Sequence, residues 1–145
     1  LDLDLSIRWW LTSLTPSDLS PLSGIPIDRL WLDHTRVADL SSLQGMPLMV
    51  LSLTRTQVSD LSPLKGMPLR SLYLVDTGVS DLTPLKGMPL TDLDLEGTKV
   101  SDLSPLKGMP LRSLSINYTP AAHQPLPGWL TQEGGFKGSV DRARE

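Results

Sequence analysis

Apolar residues in this chain recur in a fixed frame. Between Asp60 and Ser80, DLSPLKGMPLRSLYLVDTGVS, leucines stand at 61, 64, 69, 72 and 74, and Met67 joins them. Leu72 and Leu74 are two apart with Tyr73 between them. That is strand alternation, apolar inward and variable outward, over a short stretch at 71–75. Leu61, Leu64, Met67 and Leu69 supply further inward side chains as the chain turns back. The other side of the unit reads as one tight helical turn. Asp60 can accept hydrogen bonds from the backbone donors that follow it. Pro63 suits the first helical position, where its missing N–H costs nothing. Gly66 can take the left-handed conformation that ends such a turn. Pro68 holds Met67 extended and feeds the chain into the next strand.

This unit repeats every 21 residues. Asp18, Asp39, Asp60, Asp81 and Asp102 open five copies; Gly24, Gly45, Gly66, Gly87 and Gly108 recur at a second offset, and Pro26, Pro47, Pro68, Pro89 and Pro110 at a third. Thr35, Thr56, Thr77, Thr98 and Thr119 recur at a fourth. A period of this length means a solenoid, whose coils bury their apolar faces only by stacking. A buried hydroxyl needs a partner, so the stacked threonines are expected to bridge the backbones of adjacent coils as a ladder. Upstream, shifting the frame back places Trp9 and Leu11 at the two strand leucine positions, with Leu14 for Thr and Pro16 for Val. Six parallel strands follow, near 8–12, 29–33, 50–54, 71–75, 92–96 and 113–117, forming a sheet about 24 Å wide. LDLDLS alternates like a strand but lies too close to Trp9 to be a full coil. The tail carries Pro120, Pro125, Pro127, Trp129, Leu130 and Phe136, and is expected to cap the last coil and fray into SVDRARE. The organisation is thus a degenerate coil and cap over 1–17, five repeats over 18–119, and a C-terminal cap with a frayed tail over 120–145.

The pattern L-x-x-L-x-L-x-x-T-x-V-x-D-L-x-P-L-x-G, as in LRSLYLVDTGVSDLTPLKG (69–87) and LTDLDLEGTKVSDLSPLKG (90–108), resembles a leucine-rich repeat. The V-S-D-L-S-P-L segment is similar to the internalin type. Thr stands where that family usually has Asn, and the Gly-Met-Pro linker makes the repeat slightly shorter. Similar tracts occur in large bacterial multidomain proteins, some of which carry serine/threonine kinase domains. The resemblance implies an α/β solenoid: a right-handed arc with a parallel sheet on its concave face and short helical or 3-10 turns on its convex face. It also implies a binding role, most often toward protein.

Composition narrows this picture. The chain has 145 residues, a net charge of -3 and no cysteine. Disulfides, zinc–thiolate sites and thiol catalysis are therefore out, and any compartment fits. Neither nucleic acid nor an anionic membrane is favoured as a partner. No apolar run approaches the roughly 20 residues of a membrane span. Asp2 and Asp4 directly after Leu1 argue against a signal peptide, and the missing initiator Met points to a piece of a longer protein. The 13 prolines and 11 glycines are periodic punctuation rather than a sign of disorder.

Function is sought where the frame varies. Outward strand positions form a grid whose central column is Trp10, Trp31, Ser52, Tyr73, Asp94 and Ser115. Exposed Trp, Tyr and Arg dominate interface energetics. The expected binding residues on the concave face are Arg8, Trp10, Arg29, Trp31, Asp33, His34, Arg55, Tyr73, Asp76, Asp94, Glu96 and Tyr118. Trp10 and Trp31, flanked by Arg8 and Arg29, could grip a peptide, stack on a sugar, or pack as a cation–π surface. Asp92, Asp94 and Glu96 share a strand face and could seed a calcium site, although such a cluster is more often a solvated patch. His34, Arg55 and Asp76 share a column, where an Arg55–Asp76 ion pair is favoured over catalysis because no nucleophile or pocket completes a site. Lys65, Lys86 and Lys107 form a solvated convex row. No residue set demands a cofactor. The expectation is a non-catalytic module for a protein or peptide ligand; the alternatives are a structural spacer in a larger protein, or carbohydrate binding through Trp10, Trp31 and Tyr73. Trp9, Trp10 and LDLDLS mark an uncapped solenoid end. A homodimer that buries Leu1, Leu3 and Leu5 there competes with LDLDLS folding back as a cap.

Overall fold

A computed structural model describes residues 2–4, 17–133 and 136–143. Seven three-residue strands make one parallel sheet in chain order: β1 (Asp2–Asp4), β2 (Arg29–Trp31), β3 (Val50–Ser52), β4 (Ser71–Tyr73), β5 (Asp92–Asp94), β6 (Ser113–Ser115) and β7 (Ser139–Asp141). The central register is a leucine column, Leu30, Leu51, Leu72, Leu93 and Leu114, each paired with the next at the 21-residue period. The coils return through 3-10 turns at Ser20–Leu22, Ser41–Leu43, Ser62–Leu64, Thr83–Leu85 and Ser104–Leu106. The molecule is an α/β solenoid of leucine-rich-repeat type. Among the described residues no helix is long and apolar enough to cross a membrane.

Each device of the repeat has a visible cause. The Asp60 carboxylate accepts from the Ser62 N–H at 2.8 Å, and Asp18, Asp39, Asp81 and Asp102 do the same two residues on. These Asx turns orient the chain for the turn that follows. There the Leu64 N–H reaches the Leu61 carbonyl at 2.9 Å, a three-residue closure that suits a turn this short. Gly66 ends it at φ 76, in the left-handed region that glycine enters without penalty. Inside, Leu61, Leu64, Met67, Leu69, Leu72, Leu74 and Val79 are buried, and their counterparts in neighbouring coils join them in one continuous core.

Two expectations need correction. The threonines do not bridge coils. Thr77 Oγ1 donates to the Leu74 carbonyl of its own coil at 2.7 Å, and Thr35, Thr56, Thr98 and Thr119 bond likewise three residues back. The buried hydroxyl finds its partner locally, because the chain has already bent toward it. Coil-to-coil bonding is left to the backbone, as in Gly78 N–H to the Val58 carbonyl at 3.0 Å.

The expected strand near 8–12 lies outside the described residues. Asp2–Asp4 pairs with β2 inside its own chain, with Leu3 opposite Leu30, 27 residues on. The alternation of Asp2, Leu3 and Asp4 therefore takes the strand slot beside β2. Ladder hydrogen bonds and hydrophobic register fix where a strand sits; coil length does not. Arg8, Trp9, Trp10, Leu11, Leu14 and Pro16 lie outside the described residues.

The tail does not simply fray. After 3-10 turns at Pro120–His123 and Gly128–Leu130 it returns as β7, with Val140 opposite Leu114. Ser139 N–H donates to the Arg112 carbonyl at 2.8 Å, and β7 accepts from the Ile116 N–H at 2.8 Å. Without β7, that Ile116 donor would lack its strand partner.

Candidate functional site

Strand alternation turns one side chain in two toward the concave face. Down the middle of that face, register places Trp31, Ser52, Tyr73, Asp94, Ser115 and Asp141 side by side on successive strands. Trp31, Tyr73, Asp94 and Ser115 are half-buried, while Ser52 is buried and Asp141 exposed. Ser52 separates Trp31 from Tyr73, so these two rings are not adjacent partners. Arg29 starts β2 and is exposed. Arg8 and Trp10, the remaining residues of the expected aromatic–arginine pair, lie outside the described residues.

Beyond the strands the chain turns through a column with left-handed backbone. His34, Arg55, Asp76 and Tyr118 have φ of 59, 56, 54 and 56, and only the fourth coil puts a glycine there, Gly97 at φ 68. Each N–H in this column still bonds the next coil, as Arg55 does to the Val75 carbonyl at 2.8 Å. Asn, Asp and His tolerate this conformation, whereas an Arg or Tyr pays about 1–2 kcal/mol for it. Arg55 and Asp76 form the expected ion pair, Nε to Oδ2 at 3.1 Å, with the two side chains 61% and 48% exposed. Exposed to that degree, the pair adds at most about 1 kcal/mol. Asp76 also leans over Gly97, where an added Cβ would lie 2.3 Å from its Oδ1. His34 is two coils from Asp76, so no His–Asp pair forms.

Several expected binding residues hold the scaffold together. Asp33 Oδ1 accepts from Ser52 Oγ at 2.5 Å and from the Thr54 N–H at 2.9 Å, clamping two coils. Asp94 Oδ1 accepts from the Glu96 N–H at 3.0 Å, and Glu96 Oε2 from Asn117 Nδ2 at 3.4 Å. Asp92 Oδ2 accepts from Thr91 Oγ1 at 2.7 Å. Among the described residues no group of three or more His, Cys, Asp or Glu could hold a metal ion. Backbone bonds from Ser20 and Ser41 hold Asp18 and Asp39 below the ordinary 3.8, and hydroxyl bonds from Ser62 and Thr83 do so for Asp60 and Asp81.

Asp141 was missed as a member of this face. Asn117 sits in the same column as Asp33 and Glu96, and its Oδ1 accepts from the Ala143 N–H. Asp141 was hidden by a tail that breaks the period; the Gly138–Ser139–Val140–Asp141 alternation is the signal that carries it. A pocket of about 90 Å3 lies off the sheet, lined by Ser101, Asp102, Ala121, Gln124 and Pro125. It is well below the size of a small-molecule site. The concave sheet is thus an open surface of varied chemistry on a rigid frame.

No family model and no curated protein matches the sequence. Among solved structures, internalin C2 from Listeria monocytogenes str. 4b F2365 is similar, with a TM-score of 0.67 and 33% identity over 78% of this chain. The match spans 50% of that internalin chain, so the present chain covers half the length of this relative. Repeat, register and this likeness agree: the chain is an internalin-like leucine-rich-repeat solenoid.

Proposed function

We propose that this solenoid is a non-catalytic module that binds a protein or peptide on its concave face. The internalin-like leucine-rich-repeat fold supports protein interaction as its general role. One observation carries the finer reading. The inward strand column is Leu in five successive coils, while the outward column beside it runs Trp31, Ser52, Tyr73, Asp94 and Ser115. Packing fixes the first column and leaves the second free, and the free column holds aromatic and charged side chains of the kind that anchor interfaces. The left-handed column points the same way. Gly97 fits its position, yet the equivalent sites keep Arg55 and Tyr118 in a costly conformation.

A photo-crosslinking amino acid at Ser71 on the concave face is the test, with one at Lys86 on the convex face as the control. A partner trapped from Ser71 but not from Lys86, and lost on Trp31→Ala with Tyr73→Ala at unchanged circular dichroism, is the expected outcome. Trapping from Lys86 alone, or undiminished trapping by the double variant, would overturn the concave site.

A further inference from the structure

Arg55 lies in the turn after β3, at the edge of the concave sheet, and its side chain is 61% exposed. Three successive coils fix where that side chain lies. Gly97 has no Cβ, and the Asp76 carboxylate takes the space: a Cβ there would stand 2.3 Å from Asp76 Oδ1. The other oxygen, Asp76 Oδ2, accepts from Arg55 Nε at 3.1 Å. A guanidinium carries five N–H donors in a planar fork. Asp76 takes the Nε donor, on the side edge of the fork. The donors on Nη1 and Nη2 make no further hydrogen bond among the described residues. Their end edge can grip a carboxylate through two parallel bonds.

Stability does not account for this arrangement. An ion pair so exposed stabilises little. That is less than an arginine loses in the left-handed backbone that Arg55 holds at φ 56. Residues kept in a costly conformation cluster where a protein binds or reacts. What the arrangement achieves is pre-organisation. Asp76, seated over Gly97, holds the guanidinium in one orientation, so a ligand that meets it has less side-chain freedom to freeze out.

The surroundings select the ligand. In the turn column Arg55 stands between Asp76 on the next coil and His34 on the preceding one. His34 and Arg36 of that preceding coil are exposed. Its nearby carboxylate, Asp33, is engaged by the Ser52 hydroxyl and the Thr54 N–H. The side of Arg55 away from Asp76 therefore suits an anion. Asp76 limits the charge of that anion, because a dianion such as phosphate meets its carboxylate with nearly twice the repulsion of a singly charged group. Resting on the reading that the concave face binds protein, we propose that Arg55 anchors a Glu or Asp side chain of the ligand. The Nη1–Nη2 edge closes on both carboxylate oxygens, and Asp76 and Gly97 are positioning residues.

Proton–nitrogen NMR titration of the full chain with two blocked tripeptides tests this. One is acetyl-Thr-Glu-Thr-amide, and the other carries Gln in place of Glu. The Glu peptide is expected to shift the Arg55 Nε–H and the Asp76 amide signals to saturation, and the Gln peptide to leave them in place. Inorganic phosphate should bind about threefold more weakly or less than that. Arg55→Lys keeps the charge but loses the fork, and should weaken the Glu peptide about fivefold. Gly97→Ala keeps every charge but pushes Asp76 aside, and should weaken it about threefold with the amide spectrum of distant coils unchanged. Arg36→Gln removes a cation outside the fork and should bind within about twofold of the unmodified chain. Equal shifts from the Gln peptide, phosphate binding as tight as the Glu peptide, or undiminished affinity in Arg55→Lys or Gly97→Ala would overturn the proposal. If that happens while crosslinking from Ser71 still traps a partner, concave binding stands and only the carboxylate anchor falls.

Discussion

Truncating Leu72 to alanine tests the stacked-coil account of stability most directly. Leu72 is fully buried, with Leu51 and Leu93 in register on either side, exposed by 0% and 2%. Alanine removes three carbons. At about 0.8 kcal/mol per buried methylene, the lost transfer energy is about 2.4 kcal/mol. The hole closes poorly, because both neighbouring coils are pinned by backbone bonds: Leu53 N–H to the Tyr73 carbonyl at 2.9 Å, and Leu74 N–H to the Asp94 carbonyl at 2.8 Å. An uncollapsed cavity of leucine size adds up to about 2 kcal/mol more. The expected loss is therefore about 2.5–4.5 kcal/mol. Val140 holds the same column position on the outermost strand, half-buried and with a neighbour on one side only. Val140→Ala should cost about 1 kcal/mol or less. Urea titrations followed by far-ultraviolet circular dichroism give both values, and similar m-values mean the array still unfolds as a unit. A Leu72→Ala loss no larger than that of Val140→Ala would refute the argument, since it would mean that a central coil is no better held than an edge.

Thr77→Val should cost about 0.5–1.5 kcal/mol by removing the buried bond to the Leu74 carbonyl. Because that bond stays within its coil, adding Thr98→Val should be additive to about 0.5 kcal/mol in urea titrations, and larger coupling would restore the coil-bridging ladder. The depressed carboxyls of Asp18, Asp39, Asp60 and Asp81 set the sign of the acid response. A folded-state value below the unfolded one adds stability above the unfolded value and loses it as pH falls through the folded one. The urea midpoint should thus hold from neutrality to about pH 5 and drop below about pH 4. A variant with Asp39, Asp60 and Asp81 changed to Asn should drop less steeply; an identical slope would assign the acid response elsewhere. Gly138→Ala should detach β7, because its Cβ would fall 2.6 Å from the Arg112 carbonyl oxygen, a backbone atom that cannot swing aside. Hydrogen exchange at Ser139–Asp141 should rise while that at Ser71–Tyr73 stays slow, and unchanged protection at β7 would count against the clash.

Much of this protein was legible in its sequence, because a repeat states each structural rule five times. The alternation around Leu72, the Asp60 turn, the Pro63 start, the Gly66 stop and the strands β2 to β6 all follow from local preferences acting within one coil. The Arg55–Asp76 pair follows too, since equal periods put equal offsets side by side. What the sequence determined by itself was therefore the coil and its stacking. Tertiary structure decided the rest, wherever the repeat stops or two local solutions compete. At both ends the period is broken, and only the open edges of β2 and β6 select which segment completes the sheet. Those edges take Asp2–Asp4 and Ser139–Asp141 because unpaired N–H and C=O groups accept any extended segment whose apolar residue meets the leucine column. The threonine hydroxyls bond the carbonyl three residues back, because the bend of the assembled coil brings that acceptor to them. Asp141 joins the outward column beside Ser115 only because β7 is brought there from a part of the chain that the repeat does not govern.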